Sequence, residues 1–451
     1  MSSQQGLSGL TASAKNLEVI GNNIANANTV GAKSSRAEFA DMYSSASGGG
    51  GNVGIGTRVA AITQDHSQGS ITPTGNALDL AIDGGGYFQV ADLAPGSTGG
   101  DSPLLYTRSG QFKSDRLGNI ITNDGLRLLG YEAEDGVIVP SGNPVPLTVP
   151  DAVLAPKPTT SIGLELNLDA ADVAPDPTVP FSDVDKTTYN YSSTLKVFDN
   201  AGQSVKLDYY FRRLPSPDNT WEVYVTTPDP SNPSANVSVP TTPAAPRLTF
   251  SADGGTLESG TPVVISNTDL MTTLNPLSAG SGISYAFGGE ETTERPTPQI
   301  DINFGPDPLL GLKGTKQRAG TYAKTNETGD GYGRGTLSDF SFDADGILTA
   351  NYSNGRSVRT AQVVLASFRN PQGLVSVGGN VWSEGADVGA KYTGVPGSGN
   401  LGKISPKAVE ESNIDLTAAL VSLITAQRTY QANAQTIKTQ DQVLQTFVNM
   451  R

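Results

Sequence analysis

The stretch AQRTYQANAQTIKTQDQVLQTFVN at Ala426–Asn449, close to the end of the chain, contains no glycine and no proline. It continues a pattern that starts after Asp415, a residue type that caps helix N-termini. At about 1.5 Å per residue, a helix from there to Asn449 is roughly 50 Å long. Its apolar residues recur at the three- and four-residue steps of a narrow helix–helix seam: Leu416, Leu420, Leu423, Tyr430, Ala434, Ile437, Leu444 and Val448.

A second helix is predicted near the start of the chain, from about Gln4 to Asn28. Gly21, Asn22 and Asn23 are poor helix formers, so the part beyond Ile20 is weakly helical without a partner. The spacing again predicts a seam rather than a broad apolar face. Its members are Leu7, Leu10, Ala14, Leu17, Gly21 and Ile24.

Between these helices the pattern is typical of β-strands. With 52 glycines, 29 prolines and only 16% charged residues, turns and short strands dominate. Gly202, Gly346 and Gly355 lie where tight hairpin turns are needed, whereas the proline-rich Pro228–Pro246 is predicted to be a long surface loop or an insertion. Alternation predicts strands at Ser193–Asp199, Val205–Arg213, Thr220–Val225 and Gln362–Phe368.

The predicted fold is multidomain and mainly β, with long α-helical termini that pair as a coiled-coil-like inner domain and nested β domains outside. A chain of 451 residues is long enough for several cores. The expected division is a helical inner domain at 1–35 and 404–451, a first β domain at 36–145 and 336–403, and an inserted outer β domain at 146–335 that has room for an extra insertion at 226–335.

Composition excludes several classes of function. The formal net charge of −14 disfavours nucleic acid and anionic membranes as partners. No apolar run reaches the roughly 20 residues of a membrane span, and the first 17 residues lack the pattern of a cleaved secretory signal. Without cysteine there is no disulfide, thiolate metal site or cysteine nucleophile. We therefore expect no nucleic acid and no membrane partner, and export, if any, by a route that reads no cleaved signal.

No catalytic or cofactor motif stands out. His66 is the only histidine, and its polar neighbours favour a solvent-exposed loop or strand-end position over a triad or metal site. The stretch FDADG at Phe342–Gly346 lacks the further ligands of a calcium loop and predicts a hairpin turn. Acidic residues are numerous, but their spacing singles out no carboxylate pair. We expect no catalytic site, no metal and no cofactor, so the protein is predicted not to be an enzyme.

The helical ends favour polymerisation over a free-standing helix pair. Their seams supply about eight large apolar side chains, each stabilising by at most ~1.5–3 kcal/mol when buried. Ordering some 55 residues costs on the order of 1–2 kcal/mol each in backbone entropy. Packing on the chain's own β domain or on neighbouring copies could supply the missing surface, and both readings stay open on these grounds.

Several motifs resemble the bacterial flagellar rod and hook axial protein family. GNNIANANTVGAK at Gly21–Lys33 is similar to the family's N-terminal signature, with Ala32 at a position that is usually aromatic. SNIDL at Ser412–Leu416 and the closing helix match its C-terminus. Further stretches resemble the hook members: FADMY at Phe39–Tyr43, YTRSGQF at Tyr106–Phe112, TLKVFDNAGQSVKLDYYF at Thr194–Phe211, and ANYSNGRS, VVLASF and NVWSEG within Ala350–Gly385.

The resemblance implies a structural subunit of the flagellar hook. Such a subunit is exported unfolded by the flagellar type III apparatus and polymerises with itself into a hollow, flexible tube, the universal joint that transmits motor torque from rod to filament and encloses the export channel. Other implied partners are the hook cap, the distal rod and the hook–filament junction proteins, and the implied location is the extracellular hook at the basal body.

The resemblance also makes the seam residues assembly residues and favours intersubunit packing over a frayed helix end for Asn22, Asn23 and Asn26. Two alternatives remain at this point. One is a distal rod subunit, and the other a secreted β-rich carbohydrate-binding or hydrolytic protein, which leaves both matched ends unexplained.

Overall fold

In the computed structural model the chain forms two compact units that interleave along the sequence. Unit 1 comprises Met1–Pro150, Ser338–Asn351 and Ser357–Arg451, and unit 2 comprises Asp151–Leu337 and Tyr352–Arg356. The residues that the structure describes are 2–42, 56–92, 103–134, 136–140, 142–215, 219–229, 232–241, 246–251, 255–259, 263–266, 270–271, 273–275, 287, 299–307 and 312–449.

The predicted mainly β, multidomain fold with a helix at each end is confirmed. Both terminal helices belong to unit 1, together with the β segments next to them in the sequence. The division into a separate helical domain and two β domains stays a prediction. No helix in the described ranges combines the length and apolarity that crossing a membrane requires.

The terminal helices are α1 (Ser2–Ala25) and α2 (Leu416–Asn449). The predicted N-cap of α2 is confirmed, because Asp415 Oδ1 accepts hydrogen bonds from the backbone N–H groups of Thr417 at 2.8 Å and Ala418 at 3.1 Å. Helix α1 continues through Gly21 but ends three residues before the predicted boundary at Asn28. A turn follows, in which the Asn26 N–H donates to the Asn22 and Asn23 carbonyls.

Replacing Gly21 with alanine should stabilise α1. Gly21 is exposed in the helix interior, and an added Cβ would meet no atom within 4 Å. Alanine is about 1 kcal/mol better than glycine in such a position. We expect slower hydrogen exchange along α1, by up to about fivefold.

Gly6→Ala is the matched control for Gly21→Ala. There the added Cβ would lie only 3.0 Å from Ile437 Cγ1, so the tight contact offsets the gain in helix propensity. Equal protection of α1 in both variants would contradict the expected result.

Unit 1 contains a large antiparallel sheet, and α1 packs against a separate hairpin formed by Ser35–Met42 and Gly56–Gln64. Its core includes Leu80, Phe88 and Leu128, all fully buried. The strands of the first part of the chain are β1 (Ser35–Met42), β2 (Gly56–Gln64), β3 (Ile71–Pro73), β4 (Leu80–Asp83), β5 (Tyr87–Ala91), β6 (Leu104–Thr107), β7 (Lys113–Ser114), β8 (Ile120–Ile121), β9 (Arg127–Glu134), β10 (Val137–Ile138) and β11 (Val145–Pro146).

The later part of the chain returns to unit 1. Strands β26 and β27 each reach the boundary with unit 2, and the others lie within unit 1. They are β26 (Gly335–Phe342), β27 (Ile347–Tyr352), β28 (Ser357–Val363), β29 (Leu365–Phe368), β30 (Leu374–Gly378), β31 (Val381–Glu384), β32 (Lys391–Gly394), β33 (Lys403–Pro406) and β34 (Ala408–Glu410).

Unit 2 has two main sheets around a core that includes Phe211, Trp221 and Phe304. The strands are β12 (Val153–Leu154), β13 (Ser161–Leu168), β14 (Tyr191–Phe198), β15 (Ser204–Arg213), β16 (Thr220–Asp229), β17 (Asn232–Ser238), β18 (Arg247–Phe250), β19 (Leu257–Ser259), β20 (Val263–Ser266), β21 (Gln299–Asn303), β22 (Pro306–Asp307), β23 (Leu312–Lys313), β24 (Lys316–Gln317) and β25 (Ala323–Gly329). One sheet has the strand order β14-β15-β16-β18-β19, and in the other β13 is parallel to β21 and β24 but antiparallel to β25.

The predicted strands and hairpin glycines are confirmed, except that Gln362–Phe368 is divided between β28 and β29 at Val364. Gly202, Gly346 and Gly355 have φ of 80°, 73° and 79°, in the left-handed region that glycine enters without strain. The surface loop predicted at Pro228–Pro246 is wrong in part, because β17 within it pairs with β16. Pairing with a neighbouring strand satisfies the backbone there despite the prolines.

Candidate assembly site

The two terminal helices contact each other through small residues on α1. An added Cβ at Gly9 would lie 3.1 Å from Asn433 Nδ2. The same Asn433 Nδ2 donates to Ser13 Oγ at 3.1 Å. Close approach therefore depends on residues with little or no side chain, one turn apart on α1.

The contact between α1 and α2 does not use the residues of the seam predicted for α1. Leu7 is 58% exposed, and Leu10, Leu17 and Ile24 are only half-buried. The buried side chains are those of Ala12, Ser13 and Val19, which the apolar spacing did not single out. The seam was predicted from the spacing of large apolar residues. Two helices approach closely only where their side chains are small, so the spacing did not indicate this contact.

The predicted seam of α2 is likewise largely uncovered within the chain. Leu416, Leu420 and Tyr430 are exposed, while Leu423 and Ile437 are half-buried. The side chains of Leu444 and Val448 lie outside the part that the structure describes.

Two exposed residues that the seam missed, Val421 and Ile424, lie beside Leu416 and Leu420. These four residues, at steps of one, three and four along α2, form what we name the apolar strip. Val421 is 61% and Ile424 51% exposed, so the described residues leave much of the strip uncovered.

A groove of about 720 Å³ lies next to the strip, between α1, α2 and the β1–β2 hairpin. Val19, Phe39, Val421 and Ala426 line it together with polar residues of both helices. Phe39 is itself 44% exposed. The groove and the strip thus form one continuous, partly apolar surface at the helical end of unit 1.

The three asparagines of the N-terminal signature differ in their contacts. Asn23 Nδ2 donates to the Ser35 carbonyl at 2.7 Å, and its Oδ1 accepts from the Ser35 N–H at 2.9 Å. Asn26 Nδ2 donates to the Asn22 carbonyl at 3.0 Å. Asn23 therefore ties the end of α1 to the start of β1, and an intersubunit role for the three residues stays a prediction.

A buried cluster of charges lies at the base of the two helices. Glu410, at the end of β34, has a fully buried side chain, and so does Lys33. Glu410 Oε1 accepts hydrogen bonds from Lys33 Nζ at 2.6 Å and from the Gly69 N–H at 2.9 Å. Its Oε2 accepts one from Arg108 Nη1 at 2.8 Å. One carboxylate thus binds residues of three separate stretches of chain.

His66 lies beside this cluster, in the connection just after the end of β2 as predicted, but its side chain is half-buried rather than exposed. Its Nδ1 is 2.9 Å from the Tyr87 hydroxyl, and its ring packs edge-on to Trp382 at 5.9 Å. Burial, with Lys33 and Arg108 nearby, lowers the pKa of His66 to about 4. Burial also raises the pKa of Tyr87 to about 12 and lowers that of Lys33, against the opposing charge of Glu410.

The hydrogen bonds of this cluster hold separate stretches of the chain together. Among the described residues there is no group of three or more His, Asp or Glu side chains that could hold a metal ion. Lys33 and Arg108 both fall inside the quoted motifs at Gly21–Lys33 and Tyr106–Phe112, a signal that could have singled them out. Glu410 carries no comparable signal in the sequence.

Four family models match the chain, at both ends and in between. Residues 4–33 match the flagella basal body rod protein model, and 405–450 match the C-terminal model of the flagellar basal body rod FlgEFG protein. Residues 81–165 match the flagellar hook protein FlgE/F/G D1 domain, and 167–332 match the flagellar basal body protein FlaE D2 domain.

Individual relatives match over the full length. The chain is 40% identical to the flagellar hook protein FlgE of Salmonella typhimurium and 38% identical to that of Escherichia coli K12, with all of both chains covered in each case. A crystal structure of the Helicobacter pylori flagellar hook protein FlgE2 shares the fold at a TM-score of 0.54 and 16% identity, covering 75% of this chain and 100% of that one. The chain therefore belongs to the flagellar hook protein FlgE family and is a structural subunit of the bacterial flagellar hook.

Proposed function

We propose that the chain polymerises helically into the hollow, flexible tube of the hook, with the terminal helices paired in a coiled-coil-like inner layer and the β domains outside. The observation that carries this proposal is the uncovered apolar strip of α2, Leu416, Leu420, Val421 and Ile424. A large apolar side chain contributes about 1.5–3 kcal/mol when buried. Helices of neighbouring copies are the cover that a homopolymer supplies.

The length of α2 supports the same conclusion. Its 34 residues extend over about 51 Å, and most of its side chains are exposed. Long helices in water depend on packing for most of their stability. Within the chain, α1 covers α2 along one narrow stripe near Asn433 and Ile437. A second copy would bury the faces that remain.

The outer β domains would provide flexibility. Tightly packed inner helices hold subunits together, while polar outer contacts can slide at little cost in free energy. In this proposal the tube transmits motor torque from rod to filament as it bends, and it encloses the export channel. The role is structural and not catalytic.

Partners and export follow from the same proposal. The hook cap, the distal rod, the hook–filament junction proteins and the flagellar type III apparatus would each meet this subunit during assembly. The family match at both chain ends supports these partners, and the proposed route delivers the chain outside the cell without a cleaved signal.

The double variant Leu420→Gln, Ile424→Gln tests the proposal. Glutamine is a helix former of similar strength to leucine, so α2 should persist in the monomer while the apolar strip becomes polar. We expect tube formation in a salting-out salt to require at least about tenfold more protein. Electron microscopy and the sedimentable fraction measure this against the unmodified chain.

Val173→Gln is the matched control. Val173 is 84% exposed and belongs to unit 2, so the substitution also removes exposed apolar surface, but not from the unit that contains the terminal helices. It should leave tube formation unchanged. Tubes from the double variant at the unmodified concentration, with helix content equal by circular dichroism, would contradict assembly through the strip.

A further inference from the structure

We propose that Glu410, Lys33 and Arg108 form a latch that couples the bases of the two terminal helices, so that breaking it releases both helices together while the large β sheet of unit 1 stays folded. The latch lies within one subunit. It does not depend on how subunits assemble.

The latch joins stretches that are far apart in sequence. Lys33 follows the turn after α1, and Glu410 precedes the Asp415 cap of α2. Their side chains meet across 377 positions. Lys33 Nζ also donates to the Ser67 carbonyl at 2.5 Å, which adds the connection between β2 and β3.

Arg108 anchors this junction to the β sheet. Besides its bond to Glu410, Arg108 Nη2 donates to the Gly84 carbonyl at 2.8 Å, at the end of β4. The turn after α1 packs closely against the stretch around Arg108, because a Cβ added at Gly31 would lie 2.6 Å from the Ser109 nitrogen. The Gly31 N–H donates to the backbone carbonyl of Glu410 at 2.8 Å. The turn after α1 and the segment that leads into α2 therefore both contact the short stretch around Arg108.

A second side chain links the same two ends. Asn413 Oδ1 accepts from the Ser34 N–H at 2.8 Å, and its Nδ2 donates to the Asp65 carbonyl at 2.8 Å. Asn413 lies between Glu410 and α2, and Ser34 is next to Lys33. Movement of either helix base would break contacts of the other, which is the physical meaning of coupling here.

The charge balance explains why the latch responds as a unit. With Glu410 ionised, two buried cations share one buried carboxylate. Neutralising Glu410 leaves Lys33 and Arg108 buried with like charge and without the carboxylate that binds them both, which is strongly unfavourable. Water reaches them most easily by opening of the connection around Ser67, whose neighbours Asp65 and Gln68 are exposed. The strands β9 and β28 need not move in that opening.

Hydrogen exchange on the full chain tests the proposal, with Glu410→Gln against the neighbouring control Glu411→Gln. Glu411 is exposed and accepts a bond from Thr72 Oγ1 at 2.8 Å. In Glu410→Gln we expect amides of residues 26–35 and of 403–415 to exchange at least about tenfold faster, and by similar factors. Amides of β9 and β28 should keep their protection, and the control should match the unmodified chain.

Faster exchange at one end alone would overturn the coupling, and so would unchanged exchange at both ends. Uniform loss of protection, β9 and β28 included, would show a general stabilising role instead of a latch. If the chain does not fold with Glu410→Gln, Lys33→Met is the second variant to use. It is milder because it leaves Arg108 and Glu410 as a pair of opposite charges. It too should speed exchange in 403–415, far from the substitution in sequence, and protection there equal to the unmodified chain would overturn the proposal.

Discussion

Replacing Gly110 with alanine should destabilise unit 1 by more than about 4 kcal/mol, among the largest effects of a single substitution. An added Cβ would lie 1.5 Å from the Leu80 carbonyl oxygen and 3.3 Å from Phe88 Cε2. The obstacle is backbone, so no side-chain rotation relieves it. The Leu80 N–H donates to the Gly110 carbonyl at 3.0 Å, and that contact would have to open. Chemical denaturation followed by circular dichroism measures the loss.

Gly142→Ala is the control for Gly110→Ala. Gly142 is exposed, and an added Cβ would meet nothing within 4 Å. We expect its stability to stay within about 0.5 kcal/mol of the unmodified chain. A Gly110→Ala variant with the same denaturation midpoint as this control would show that the segment Tyr106–Phe112 does not hold β4 as the structure has it.

Acidification from pH 7 to pH 4 should destabilise unit 1 through His66. In the folded chain the pKa of His66 is lowered from 6.5 to about 4, chiefly by burial. The unfolded chain therefore takes up the proton first as the pH falls. Stability from this group is fully present above about pH 6.5 and is lost progressively towards pH 4. The pKa difference corresponds to about 3 kcal/mol, and partial exposure of the ring reduces the expected loss to about 2 kcal/mol.

Because His66 is the only histidine, its titration can be followed directly by NMR. Protonation would remove the acceptor for the Tyr87 hydroxyl and add positive charge beside Lys33 and Arg108. His66→Gln should flatten the stability profile between pH 6.5 and 4.5. Carboxylates with lowered pKa values, such as Asp65 and Glu384, lose their contributions at lower pH. A midpoint near 6.5 for the folded chain would refute the expected burial of the ring.

Much of the secondary structure could be predicted from local chemistry. Asp415 caps α2 because its carboxylate reaches N–H groups two and three residues ahead. Gly202 and Gly346 turn hairpins because φ near +75° costs glycine little. Each of these preferences acts within a few residues, and the motifs at both chain ends then pointed to the flagellar axial proteins.

The residues of the apolar strip were only partly predictable. Leu416 and Leu420 were found by their spacing, but Val421 and Ile424 were missed because they fall off the heptad positions. Which face of a helix is covered depends on what another element places against it. Apolar spacing alone cannot distinguish the face that packs within the chain from the one left exposed.

By itself, the sequence determined the helical ends, the β-rich middle, the turn positions and the family, since all of these depend on backbone preferences and short motifs. Only the tertiary structure decided that α1 meets α2 at Gly9, that Lys33 binds Glu410, and that the ring of His66 packs against Trp382. These contacts join residues hundreds of positions apart. Their energies come from desolvation and from charges brought together by folding, which no local pattern records.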